Sequence, residues 1–245
     1  MKRAAITIKN LKISYKTLQK VSIRRMLFKA VAQKKETFDA IKKINIEIEE
    51  GKILGIVGKN GSGKSTLLRA IAGIFSPDSG YIDLHNNTVS LLSIGIGFNR
   101  KLTGYENIYL SGMLLGFNKA QIKEKEQEII SFADIGEFIN KPVKTYSSGM
   151  YSKLAFAITA ILETDIMLID EILSVGDINF REKSFNKIKE LISDEKRTVL
   201  IVSHNLQQLE GLCDEILWLH NGEVKMRGVP KEVLKEYREF MKKEV

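Results

Sequence analysis

The sequence predicts an α/β fold built on a largely parallel central sheet. Three observations carry that prediction. Short apolar runs of strand length recur at residues 53–57, 166–169 and 198–202. Segments with apolar residues at helical spacing separate them, most of them between residues 105 and 165. The first run passes into a helix through a glycine-rich loop, residues 58–66, reading GKNGSGKST. Strands that alternate with helices fold as parallel strands with helical crossovers, since a parallel neighbour cannot be reached through a tight turn.

In chain order, Ala4, Ile6 and Ile8, and again Ile44, Ile46 and Ile48, alternate apolar with polar neighbours and predict N-terminal antiparallel strands. Between them, residues 16–37 carry Lys16, Lys20, Arg24, Arg25, Lys29, Lys34 and Lys35 against the single acid Glu36. Ile23, Leu27, Ala30 and Val31 fall at helical spacing there, so this stretch predicts a basic amphipathic helix inserted between two strands. A helix follows the glycine loop from Ser65 to about residue 73, and further helices are predicted over 106–115, 119–133 and 148–163. After the strand at 166–169 come a helix over 180–192, the strand at 198–202, a hairpin and a closing charged helix from about Lys231. The hairpin is centred on Asn221-Gly222, residues that tolerate the two positive φ angles of a type I′ turn. The expectation is one domain over 1–245, with a helical subdomain over about 100–162.

Composition narrows the function classes. The 245 residues are 44% hydrophobic and 28% charged, which excludes a disordered or collagen-like chain. No apolar stretch approaches the roughly 20 residues needed to span a bilayer. The opening MKRAAITIKN lacks the apolar centre of a secretory signal, and a single cysteine, Cys213, fits a reducing cytoplasm. Thirty-eight Lys and Arg against 30 Asp and Glu give a net charge of +8, which favours anionic partners without choosing among them.

The glycine loop matches G-x-x-x-x-G-K-[ST] at Gly58, Gly63, Lys64 and Ser65. Glycines let successive backbone N–H groups turn inward around a phosphate with no Cβ in the way. Lys64 supplies a compact positive charge for the β- and γ-phosphates, and the Ser65 hydroxyl is a ligand for Mg²⁺. Asn60, Gly61, Ser62 and Thr66 complete the predicted phosphate cradle at the N-terminus of a helix. The run Ile166-Met167-Leu168-Ile169 ends in Asp170 and Glu171, two carboxylates where ligands of parallel sheets collect. Asp170 is the expected Mg²⁺ partner, and Glu171 the general base on an attacking water. His204, past the strand at 198–202, is the candidate imidazole donor to the γ-phosphate.

Between these motifs, Tyr146-Ser147-Ser148-Gly149-Met150 opens a helix and resembles the LSGGQ signature of ABC ATPases. With the glycine loop, the acidic strand end, Ser174-Val175-Gly176-Asp177 in the D-loop position and His204 in the switch-histidine position, the order resembles one complete ABC cassette. That resemblance implies a P-loop NTPase (RecA-like) core and a head-to-tail dimer in which Ser147, Ser148, Gly149 and Met150 face the ATP of a second copy. It also implies an aromatic stacked on adenine: Tyr15 fits the place, with Phe38 as its rival. The sequence departs from the family pattern in three ways. Ser148 replaces a glycine, Met150 replaces a glutamine, and no glutamine stands between Gln33 and Gln121 to fill the Q-loop position. Ser93 and Asn99 are the polar candidates for that role.

YSSGM, the segment Gly95-Ile96-Gly97-Phe98-Asn99, the run Leu102-Thr103-Gly104-Tyr105-Glu106-Asn107-Ile108 and SVGD resemble one branch of the family, the bacterial exporters of lipid-linked O-antigen, capsule or teichoic acid. The resemblance implies an ATP- and Mg²⁺-dependent motor on the cytoplasmic face of the membrane. Its partners would be an integral-membrane permease dimer and, through it, the glycolipid. The basic insertion would lie near anionic head groups or the substrate's diphosphate. A soluble ABC ATPase acting on nucleic acid or the ribosome is the alternative. One cassette and one cysteine argue against it, because translation-type members resemble fused pairs and repair-type members carry cysteine-rich insertions. An ABC exporter of another cargo is the remaining reading.

Overall fold

The computed structural model describes residues 3–17, 36–92, 97–170, 177–194 and 196–243. Two long antiparallel strands, β1 (Ala4–Thr17) and β2 (Glu36–Glu49), open the fold. The core elements follow as β3 (Ile53–Val57), α1 (Lys64–Ile71), β4 (Ser79–Asp83) and β5 (Val89–Leu92). Three helices come next: α2 (Gly104–Leu114), α3 (Lys119–Ala133) and α4 (Ser148–Ile161). Then come β6 (Ile166–Asp170), α5 (Ile178–Ile192), β7 (Thr198–Val202), α6 (Leu206–Leu212), β8 (Glu215–His220), β9 (Glu223–Gly228) and α7 (Pro230–Lys243). β1, flanked by β2 and β4, forms a three-stranded antiparallel sheet. The second sheet runs β5-β6-β7-β3-β8-β9, parallel except for the β8–β9 hairpin.

Period-two patterning explains why the large sheet is buried on both faces. Leu54, Ile56, Leu168, Leu200, Val202, Leu217 and Leu219 point to one side, where α1 and the N-terminal sheet close over them. Their immediate neighbours Val57, Met167, Ile169, Val199, Ile201 and Trp218 point to the other, against residues of α5, α6 and α7. A third apolar cluster, including Ile108, Ile122, Ile129, Leu154 and Ile158, belongs to α2, α3 and α4. Within it the buried carboxylate of Glu126 accepts hydrogen bonds from the hydroxyls of Tyr105 (2.7 Å) and Tyr109 (2.5 Å) and from the Lys123 ammonium (2.9 Å).

The structure amends the sequence reading in places. The expected helix over 16–37 is strand at both edges: residues 16 and 17 end β1, and residues 36 and 37 begin β2. Residues 18–35, with most of that stretch, lie outside the described residues. Three short elements had no usable signal. β4 reads Ser-Gly-Tyr-Ile-Asp with a largely exposed pattern, β5 has four residues, and α6 has seven, under two helical turns.

Candidate functional site

The glycine loop leaves the C-terminal end of β3, a central strand with β7 on one side and β8 on the other. Gly63 sits at φ 103° as the N-cap of α1, and a Cβ there would come within 2.5 Å of the Ala40 carbonyl oxygen. Gly58 is equally constrained, since a Cβ would run into the Leu219 carbonyl. Only glycine therefore lets the loop lie this close to β2 and β8. The β8–β9 turn braces it from below. Asn221 and Gly222 adopt φ 50° and 79°, the Gly222 N–H donates to the Ser62 carbonyl (3.1 Å), and the Lys42 N–H donates to Gly222 (2.8 Å).

Lys64 is buried, and its ammonium donates to the carbonyls of Gly58 (2.7 Å) and Lys59 (3.0 Å), arching over the loop it follows. Asn60 and Gly61 are exposed at the rim, whereas the Ser62 side chain is buried against Gly58. The Ser65 hydroxyl donates to Oδ1 of Asp170 at 3.1 Å, across 105 residues of sequence. Hydroxyl and carboxylate oxygens side by side are hard donors of the type Mg²⁺ prefers. Val202 of β7 is level with both Ile56 of β3 and Asp170 of β6, so the ends of all three strands emerge together. His204 stands exposed two residues beyond β7, at that same end. Glu171, next to Asp170 in the chain, lies outside the described residues.

Tyr15 and Phe38 face each other directly across β1 and β2. Both line a cleft of about 360 Å³ whose other walls include Asn60, Gly61, Lys64 and Thr66. The Tyr15 hydroxyl shares a hydrogen bond with Thr66 Oγ1 (3.1 Å), and its ring meets Phe75 edge-on at 5.9 Å. The two rival aromatics are thus neighbours over one cleft.

Ser147 caps α4 by accepting the Met150 N–H (3.2 Å), with Ser148 exposed and Gly149 and Met150 half-buried at the helix start. None of the four is among the residues lining the Tyr15–Phe38 cleft. Asp177 caps α5: one carboxylate oxygen accepts the Phe180 N–H (3.0 Å), the other the Lys153 ammonium (2.7 Å). The Lys153 contact, with the Phe180 N–H, holds the Asp177 carboxyl below the usual carboxylate range. The Q-loop candidate Ser93 and residues 174–176 of the D-loop position lie outside the described residues. Asn99 is exposed, and its side-chain carbonyl accepts the Lys101 N–H (3.0 Å).

Two residues of consequence escaped the sequence reading. Lys153 had a signal, being the only charged residue of α4. Asn107 is fully buried, and its carboxamide accepts the Asn99 N–H (2.8 Å) while donating towards the carbonyls of Asn99, Leu102 and Thr103. Asn107 stood in the Leu102–Ile108 motif run, but a buried Asn on a helix resembles an exposed one in sequence, so its bonding role was not read.

Residues 41–174 match the family described as ABC transporter. The chain is 48% identical over 83% of its length to a teichoic acids export ATP-binding protein TagH of Bacillus anthracis. It is 43% identical over 98% of its length to the TagH protein of Listeria innocua, and 42% over 92% to the O-antigen export system ATP-binding protein RfbB of Myxococcus xanthus. It spans 37%, 72% and 51% of those three proteins. A dimeric bacterial ABC transporter cassette superposes with a TM-score of 0.69 at 23% identity, covering 92% of this chain and 98% of that one.

Proposed function

The chain belongs to the ABC transporter family, and we propose that it is the ATP-hydrolysing subunit of a bacterial exporter of lipid-linked polysaccharide such as teichoic acid, O-antigen or capsule. The observation that carries the nucleotide chemistry is the Ser65–Asp170 hydrogen bond, which brings the phosphate loop and the acidic strand end to one point. The names of the relatives support the cargo class. The reading takes residues 1–245 as one cassette.

In this reading the N–H groups of residues 60–66 and the Lys64 ammonium bind the β- and γ-phosphates, with the α1 dipole behind them. Tyr15 and Phe38 flank the adenine. Ser65 and Asp170 are the residues that would hold Mg²⁺, which when bound neutralises phosphate charge. Glu171 accepts a proton from water as its oxygen bonds to the γ-phosphorus and the bond to the β-phosphate oxygen breaks, leaving ADP and phosphate. His204 donates a hydrogen bond to the γ-phosphate. Ser147, Ser148, Gly149 and Met150 present the α4 N-terminus to the nucleotide of a second copy, with Asp177 in the D-loop position.

No described helix is long and apolar enough to cross a membrane. In this reading an integral-membrane permease is the transport partner, and this chain works on the cytoplasmic face of the membrane, as the export names of its relatives support. An apolar groove of about 310 Å³ lined by Phe98, Leu114, Leu115, Ala155 and Ile158, with Leu114 exposed, supports docking of a cytoplasmic segment of that partner.

The test is purification of the tagged chain from native membranes in detergent, with mass spectrometry of what accompanies it. A polytopic membrane protein, together with glycolipid-stimulated ATPase lost on Glu171→Gln, is the expected result. Recovery only from the soluble fraction with RNA or ribosomes overturns the export reading.

A further inference from the structure

The Lys59 side chain leaves the phosphate loop in a different direction from its neighbours. Asn60, Gly61 and Lys64 line the Tyr15–Phe38 cleft, whereas Lys59 does not. Its ammonium instead lies 5.9 Å from the centroid of the Phe240 ring on α7, within reach of a cation–π attraction. The Lys59 backbone is tied into the loop as well: its carbonyl accepts the Ser62 N–H (3.1 Å) and the Lys64 ammonium (3.0 Å). Whatever fixes Lys59 therefore also fixes the carbonyl against which Lys64 is set.

Phe240 is held in turn by the hairpin that braces the loop. Trp218 and His220, two residues apart and so on one face of β8, each meet its ring edge-on at 5.1 Å. The Lys225 ammonium of β9 sits 3.3 Å from the Phe240 centroid and 4.4 Å from that of Trp218. Burial, and next the ammoniums of Lys225 and Lys59, hold His220 below the ordinary imidazole range, so a neutral ring meets Phe240 at neutral pH. Trp218 stands level with Val57, the residue before Gly58, and the turn after His220 donates the Gly222 N–H to the Ser62 carbonyl. Phe240 thus meets the loop directly at Lys59 and indirectly through β8. An aromatic face attracts both ammoniums, where an aliphatic side chain would leave them only their mutual repulsion.

We propose that Phe240 is a positioning residue for nucleotide capture: its ring, shared by Lys59 and Lys225, clasps the phosphate loop to α7 in the conformation that takes ATP. The inference rests on the ATPase reading above and deepens it. Phe240 does not line the cleft, so it acts through the loop on the binding of ATP. A loop held equally in ground and transition states shows its loss in KM and leaves kcat alone.

The test uses the full chain and four variants: Phe240→Leu, Phe240→Tyr, Lys59→Met and the Leu/Met double. Leucine keeps apolar volume without a π face, tyrosine keeps both, and methionine keeps the lysine stem without its charge. Phe240→Leu and Lys59→Met should each raise KM for MgATP about fivefold, with kcat within about twofold of wild type. The double variant should raise KM by less than the product of the two, since they share one contact. Phe240→Tyr should keep KM within about twofold, a rescue that leucine's apolar packing does not provide. Trp218 is the single tryptophan of the chain and supplies an independent signal. Its emission should change when a non-hydrolysable ATP analogue and Mg²⁺ are added, and Lys59→Met should remove most of that change. An unchanged KM in Phe240→Leu, losses confined to kcat, equal losses in the leucine and tyrosine variants, or a multiplicative double variant overturns the inference. If Phe240→Leu fails to fold, the Trp218 response of wild type and Lys59→Met carries the decision. A silent Trp218 in a chain that turns over ATP overturns the clasp alone. A wild-type chain with no ATP turnover overturns the ATPase reading itself, and the clasp with it.

Discussion

The nucleotide cleft and the junction that leads into α2 both carry strong sequence motifs, but they spend them differently. In the cleft, backbone geometry supplies the architecture: glycines at Gly58 and Gly63 and the Asn221-Gly222 turn hold the loop. The buried Lys64 ammonium arches over that loop while the Ser65 hydroxyl meets Asp170, leaving these side chains for the chemistry proposed above. At the α2 junction the motif residues are consumed by architecture. Thr103 accepts the Glu106 N–H while the Glu106 carboxylate accepts the Thr103 N–H, a reciprocal capping box. Asn107 ties down residues 99–103, and a Cβ at Gly104 would strike the Tyr146 hydroxyl. A motif can thus mark a family through chemistry or through folding, and only side-chain partners tell which.

The largest effect should come from Lys64→Ala, expected to lower ATP turnover at least about 100-fold by removing charge where it develops on the phosphates. Steady-state ATPase and nucleotide-binding fluorescence measure it. The thermal midpoint should move far less than the rate, and a collapse of the fold instead would break the contrast between the two regions.

Asn107→Leu is the converse. It strips the 99–103 loop of its buried partners and should destabilise the chain by about 3 kcal/mol, read by denaturant unfolding. Affinity for ATP should stay close to wild type at temperatures where the variant is folded.

Acid provides a finer division. Burial pushes the Glu126 carboxyl up, but hydrogen bonds from Tyr109, Lys123 and Tyr105 outweigh it and hold it down at about 2, against 4.5 for a free side chain. Because the folded value is depressed, this stabilisation is complete above about pH 5 and is lost as pH falls from 4.5 towards 2. Glu126→Gln should flatten the acid sensitivity of unfolding in that window. An unchanged pH profile would remove Glu126 as the acid-sensitive point of the helical region.

Thr103→Ala is the smallest change. Loss of one N-cap should cost about 1 kcal/mol without altering kcat for folded protein. A kcat loss larger than the stability loss explains would move this junction from architecture into chemistry.

Much of the candidate site was readable because its requirements are local. Nine consecutive residues encode the loop, its φ angles and its helix, and two more encode the acidic strand end. The Q-loop position was opaque for the same reason: with no glutamine present, no short pattern says which polar group approaches the site. Asn99 turned out to bond its own turn. Lys153 was legible only as a lone charge on an apolar helix, and Asn107 only as one letter of a motif, its burial and partners hidden.

The sequence by itself determined the alternation of strands and helices, the two-faced burial of the sheet, the phosphate loop and the family. The first three follow from periodicity or backbone conformation within a few residues, and the family from its resemblance to several motifs in order. Only the tertiary structure decided that Ser65 meets Asp170, that Tyr15 and Phe38 share one cleft, that the β8–β9 turn braces the loop, and that Lys153 reaches Asp177. Those pairs lie up to about 160 residues apart and are brought together by packing of whole elements, which no local pattern records.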